Sequence, residues 1–300
     1  MGSGNWQPDE FRSTSTTRAS KPREEVFTAR SLNATVDPSK MVVRESRDSA
    51  DHPRSNAIIV GFDVTGSMGQ IPYYFAHTAL GQLMDELLKK LPVPDPQLLV
   101  AAVGDSTCDS SPLQVGQFES DNRIDQWLTS FYLEGGGGGT GHESYGLVHH
   151  FAGRKTSIDC AEKRGQKGFL FTIGDELPHA VMGAREIQRV FGDSEAQALK
   201  IEDAIASATT LYDVIHILVK SNMYDPATHI DGWRKYLGEN VLVLRDFRAL
   251  PELIMTTIGV RAGMRVEDAT KGFGHEAHAL VLSSGVGALT ARGAGEIVRL

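Results

Sequence analysis

Five short apolar runs mark out the chain: AIIVGF (57–62), QLLVAAV (97–103), GFLFTI (168–173), DVIHILV (213–219) and NVLVL (240–244). Each is nearly continuous rather than alternating. Strands covered on both faces have this pattern, and it predicts a parallel sheet. Helical periodicity separates most of the runs. PYYFAHTALGQLMDELLKKL (72–91) sets Phe75, Ala79, Leu83 and Leu87 on one face. It carries Pro72 in its first turn and Lys89 and Lys90 at its end, both suited to those positions. Further helices are predicted near 122–131, 143–154, 179–190, 196–208, 228–237 and 249–262. One connection, GDSTCDSSP, is too short for a helix and joins the second run to LQVGQF (113–118), which makes that pair a hairpin. The expected fold is α/β: a three-layer, doubly wound, mostly parallel sheet with one antiparallel edge strand.

The two ends read differently. Residues 1–52 are polar and lack sustained periodicity, which predicts a mostly irregular arm with short pieces packed on the domain, of which proteases should trim residues 1 to about 45 first. The domain itself is placed at 53–264. The tail, 265–300, is rich in Gly and Ala with scattered apolar residues, so it is expected to dock loosely or to be disordered.

Composition narrows the function classes. Of 300 residues, 41% are hydrophobic, enough for a sizeable core. The net charge of −8 argues against a general nucleic-acid binder. No apolar run reaches the length of a bilayer span, and the N-terminal stretch has no signal-type apolar region, so no membrane association is expected. Two cysteines, Cys108 and Cys160, fit a reducing cytoplasm better than a secreted domain.

Chemistry concentrates where the first apolar run ends. In GFDVTGSMG, Asp63 closes the strand and Thr65 and Ser67 follow at alternate positions. Asp175, in FTIGDELPH, and Asp105, in AAVGDS, also stand at predicted strand ends, the edge where open parallel sheets bind ligands. Asp105 alone reads as a turn cap. The stretch is not a P-loop, because Ser67 and Met68 stand where lysine and a hydroxyl residue are needed. Nor is it a nucleophile elbow, because Thr65 occupies the position that requires glycine. An aspartate-based phosphohydrolase of haloacid-dehalogenase type would want a second Asp at 65, where Thr stands. That Mg²⁺-dependent enzyme is the alternative reading, and a scaffold with a vestigial site is another. Carboxylate and hydroxyl oxygens together suit a hard divalent cation such as Mg²⁺ or Mn²⁺. His142, His149 and His150 lack zinc-site spacing and are expected at the surface; Trp127 and Trp233 are expected in the core.

Asp63-Val64-Thr65-Gly66-Ser67 resembles the D-x-[ST]-x-S motif of von Willebrand factor type A (vWA) domains, the first part of their metal-ion-dependent adhesion site. The resemblance spans roughly residues 55–260, and EGGGGG, ESYGL and EKRGQKGFLFTIGDE are similar to a bacterial, intracellular vWA-like subgroup. It implies Asp175 as the third-loop ligand and a second-loop ligand in LEGGGGGTGHESYGLVHH (133–150): Thr140, with Glu143 and Ser144 as rivals. It further implies a Mg²⁺ (or Mn²⁺) site that accepts an acidic residue of a protein partner. Such proteins often act as adaptors, including beside AAA-type ATPases; with no convincing nucleophile and acid/base pair in the sequence, no enzymatic activity is expected.

Overall fold

The computed structural model describes residues 4–68, 70–90, 92–135 and 141–291. Its centre is a six-stranded sheet of β1 (Asn56–Asp63), β2 (Pro96–Val103), β3 (Leu113–Val115), β4 (Gly168–Gly174), β5 (Tyr212–Val219) and β6 (Val241–Leu244). The order is β6-β5-β4-β1-β2-β3. Neighbours are parallel except β2 and β3, which pair antiparallel at the edge as the short connection requires. The apolar runs divide by parity, as pleated strands must. Ile58, Val60 and Phe62 of β1 enter one core, whereas Ala57 and Ile59 enter the other.

Helices α1 (Pro8–Ala19), α2 (Leu80–Lys90), α3 (Arg123–Thr129), α4 (Tyr145–Arg154), α5 (Ala184–Phe191), α6 (Ile201–Thr209), α7 (Ile230–Leu237), α8 (Leu250–Arg261) and α9 (His275–Ser283) cover the two faces. Residues of α1, α2, α3, α8 and α9 join the core under Phe62, and residues of α4 to α7 join the core under Ile59. This is a three-layer α/β architecture. The helix predicted over 72–91 begins at Gln70 and passes through a π-helical turn, Phe75–Ala79, before α2. Phe75, Ala79, Leu83 and Leu87 are all buried, so the predicted face is the one that packs.

The N-terminal arm is more ordered than its polar sequence suggests. It contains α1, and it buries Trp6, Phe11, Val26, Phe27, Val36 and Met41. Phe11 sits over Gly81 of α2, where an added Cβ would lie 2.6 Å from the ring, so only glycine leaves room for it. Trp6 donates to Asp85 Oδ1 at 3.0 Å, and Arg18 pairs with Asp125 of α3. Residues Arg44–Ser46 add a parallel ladder to Thr156–Ile158. The arm has no amphipathic period because it forms no core of its own. Isolated large apolar residues plug a surface that the sheet and helices already supply. The tail also contributes: Val281, Val286 and Leu289 are buried, and residues 292–300 lie outside the described part.

Candidate metal centre

β1 and β4 are adjacent, but the chain leaves β1 toward β2 on one side and leaves β4 toward β5 on the other. Their carboxyl ends therefore flank the point where the winding reverses, where open α/β sheets form a crevice. Asp63 is the last residue of β1, and Asp175 is the first after β4. Both are 1% exposed.

The turn after β1 is built on its own aspartate. Val64 N–H still donates to Val103 O at 2.9 Å, which extends the ladder by one bond. Thr65 then turns back, and its N–H and Oγ1 both donate to Asp63 Oδ1, at 2.8 and 2.6 Å. This is the local side-chain turn that Asp favours. The other oxygen, Oδ2, accepts from the Tyr145 hydroxyl at 2.9 Å. Ser67 reaches the opposite wall, where its Oγ donates to Asp175 Oδ1 at 3.2 Å. The two strand ends are thus joined through Ser67.

Electrostatics at this rim are one-sided. Burial pushes the Asp63 carboxyl above the ordinary carboxylate range; the Thr65 hydrogen bond opposes the shift and the Asp175 charge adds to it. Asp175 is raised by burial against hydrogen bonds from Ser221 and Ser67. Glu143 is raised further, by burial and then by repulsion from Asp63 and Glu176. Among the described residues, no Lys or Arg forms an ion pair with any of the three. Asp175 Oδ2 and Glu143 Oε2 are buried without a hydrogen-bond partner. Unneutralised buried carboxylates with open lone pairs fit a cation, because a buried charge is otherwise costly. Among the described residues no cluster of three or more His, Cys, Asp and Glu side chains is arranged to hold a metal ion. A cation at this rim would therefore rest on two carboxylates helped by hydroxyls, a donor set for a hard ion.

The second-loop candidates separate. Thr140 lies outside the described residues. Glu143 is brought to the site: the His142–Glu143 strand pairs with Leu177–Pro178, just beyond Asp175. Ser144 is engaged elsewhere. Its Oγ donates to Ser106 Oγ at 2.9 Å and accepts from Ser106 N–H at 2.8 Å, which ties it to the loop after β2. Asp105 caps its own turn, as expected, through Thr107 N–H at 2.9 Å, and it also contacts His179 Nε2 at 2.9 Å. Burial alone would raise its carboxyl, but the hydrogen bonds from His179 and Thr107 outweigh that and hold it down at about 2.

Sequence reasoning missed Tyr145. It begins α4, is fully buried, and its ring lies against His216 and Trp233 at 5.1 and 5.3 Å. Gly174 makes its reach possible, since a Cβ there would overlap the Tyr145 hydroxyl. Gly174→Ala should therefore destabilise the domain by about 1–3 kcal/mol through overpacking. In a Tyr145→Phe background, which removes the nearest of the overlapping atoms, the same change should cost less. Urea unfolding of the four proteins measures this coupling; equal costs in both backgrounds would show that the ring is not locked. His149, expected at the surface, is fully buried beside this cluster, and burial drives its imidazole far toward the neutral form, to about 3.

No family model matches the sequence, and no curated protein matches it. Similar solved structures include the pilus adhesin SpaC from Lactobacillus rhamnosus GG in its open conformation, at 10% identity and a TM-score of 0.45. Another is proximal thread matrix protein 1 from the mussel byssus, at 14% identity and a TM-score of 0.41. The alignments cover 77% of this chain with 31% of the adhesin, and 73% of this chain with 49% of the matrix protein. This chain thus spans less than a third of the adhesin's length and about half of the matrix protein's. Cys108 and Cys160 are not bonded to each other, and among the described residues no helix is long and apolar enough to cross a membrane.

Proposed function

We propose that the protein binds a protein partner through a divalent cation, Mg²⁺ or Mn²⁺, held at the crevice between β1 and β4. The observation that carries this reading is the pair Asp63 and Asp175: both buried, both at the winding reversal, joined through Ser67, and both raised with no cationic side chain paired to them. Asp63, Ser67 and Asp175 would hold the ion. Thr65 fixes the orientation of Asp63, and the second-loop ligand is Thr140 or Glu143. When bound, the cation would supply an electrophilic position for an acidic side chain of the partner.

The phosphohydrolase alternative needs Asp63 free to attack and an acid/base two residues on. Here Thr65 donates to one oxygen of Asp63 and Tyr145 to the other. That arrangement holds a carboxylate still and favours binding over nucleophilic attack.

Calorimetry with Mg²⁺ tests the reading. Wild type should bind one ion, and Asp175→Ala should reduce the affinity beyond detection, because it removes one of the two strand-end carboxylates that balance the dication. Proteins captured from a lysate by the wild-type chain should be released by EDTA. Unaltered Mg²⁺ affinity in Asp175→Ala, or partners retained in chelator, would remove the metal from the account.

A further inference from the structure

The carboxyl edge of the sheet is not uniform in charge. Asp63 and Asp175 end β1 and β4, but the first residue after β5 is Lys220 and the first after β6 is Arg245. The rim therefore changes sign between the two halves of the sheet. Both cations are exposed, and among the described residues neither forms an ion pair. Arg248, nearby, differs: its Nε is held by Asp246 through a forked pair at 3.0 and 2.9 Å.

A cleft of about 350 Å³ connects the two halves. Ser67, Met68 and Ile71 line one wall, and Lys220, Ser221 and Arg245 line the other. Ser67 and Ser221 also face Asp175, so the cleft opens directly onto the candidate metal centre. Hydrogen bonds hold the backbone of the basic wall. Lys220 N–H donates to Leu244 O at 2.9 Å, Asp246 caps the turn at Arg248 N–H at 2.9 Å, and Tyr74 donates to Arg248 O at 2.8 Å.

Building on the metal-dependent reading, we propose that the partner segment carries two carboxylates on one extended face. One meets the cation at Asp63 and Asp175, and the second, two residues along, meets Lys220 and Arg245. The spacing follows from backbone dimensions. Adjacent strands lie about 4.8 Å apart, so the step from the crevice between β1 and β4 to the midpoint of β5 and β6 is roughly 10 Å, and the long Lys220 and Arg245 side chains can span part of it. Residues i and i+2 of an extended chain share a face and are about 7 Å apart. A single carboxylate would use the metal alone. The basic half explains why this rim would select an acidic stretch over an isolated acid, and it would also speed encounter by electrostatic attraction.

The test uses the full chain and two peptides, acetyl-Gly-Glu-Gly-Glu-Gly-amide and acetyl-Gly-Glu-Gly-Gln-Gly-amide, titrated by NMR in Mg²⁺ and in EDTA. In Mg²⁺ the diacid should bind wild type up to about fivefold more tightly than the monoacid, the range expected of an accessible ion pair. The Lys220→Ala/Arg245→Ala double variant should lose that preference and retain wild-type Mg²⁺ affinity by calorimetry. A preference that survives in the double variant overturns the second contact and leaves the metal reading standing. Peptide binding that is the same in EDTA overturns the metal reading and, with it, the two-point arrangement. Absence of binding by both peptides in Mg²⁺ overturns the proposal as well. So does inorganic phosphate displacing the diacid from wild type at equal concentration, which would make the basic wall a phosphate subsite.

Discussion

Asp63→Asn should abolish Mg²⁺ binding and, in the absence of metal, make the protein more stable. The two effects have one cause. The amide keeps the shape of the carboxylate. Its oxygen can still accept from Thr65 N–H and Oγ1, and its nitrogen faces the Tyr145 hydroxyl, which can accept. What disappears is a buried negative charge beside Asp175 and Glu143. The folded-state pKa of Asp63 lies above its unfolded value of about 4. Between those two values the folded chain holds a proton that the unfolded chain has lost, so wild-type stability falls as pH rises through that window and stays low above it. The Asn variant lacks this contribution. Its advantage should be near zero at about pH 4 and grow as pH rises through the folded-state value of about 7, to at most about 4 kcal/mol at about pH 8. Saturating Mg²⁺ should reverse the order at the higher pH, because ligand binding to the folded state stabilises wild type alone. The variant's affinity should fall by at least about a hundredfold, more than the loss typical of a residue that only supports a ligand. Urea unfolding at both pH values, with and without Mg²⁺, measures all of this. If Asp63→Asn is less stable than wild type at the higher pH without metal, Asp63 is a structural cap and the metal centre loses its main support.

The elements and the two aspartates were legible in the sequence for the same reason. A strand buried on both faces must be apolar along its length, so its limits are sharp, and β1, β2, β4, β5 and β6 fall within a residue of the runs that announced them. Sharp strand limits also locate the carboxyl edge, and Asp63 and Asp175 stand there by count alone. The partners that arrive from across the fold were not legible. Tyr145 reaches Asp63 across 82 positions, through a gap left by Gly174, and no local pattern records that approach. His149 could have been placed inside from the sequence. It sits four residues beyond Tyr145 and one beyond Val148 on α4, along the face that packs on the sheet. Ser144 and Glu143 show the limit of spacing arguments: neighbours in sequence, one turns to Ser106 and the other toward Asp63.

Removing residues 1–43 should prevent the rest of the chain from folding stably. The sequence, read for periodicity, leads to the opposite expectation, a dispensable arm that proteases remove first. Periodicity detects segments that build their own core, and this arm completes another one. Trp6, Phe11, Val26, Phe27 and Val36 join the same core as Phe75, Leu80 and Leu83, which follow β1, and as Leu253, Ile254 and Ile258 of α8. Burial of a large apolar side chain stabilises by about 1.5–3 kcal/mol, offset in part by the entropy of ordering the arm. The net loss of several kcal/mol is a large fraction of the roughly 5–15 kcal/mol that holds a domain together. Hydrogen bonds go with it. Gln7 and Asn122 exchange a pair at 2.8 and 3.0 Å, and Val115 N–H, on the edge strand, donates to Val36 O at 2.9 Å. The truncated chain should therefore be insoluble or unfold at much lower urea. The smaller changes Phe11→Ala and Trp6→Ala should each cost about 3–5 kcal/mol. In the full chain, first cleavage by a protease should fall in the exposed turn at 192–195, between α5 and α6, not in the arm. If the arm is trimmed first, and what remains shows the wild-type urea midpoint, the buried anchors contribute nothing to stability, and the domain begins near residue 53 as its apolar pattern alone would place it.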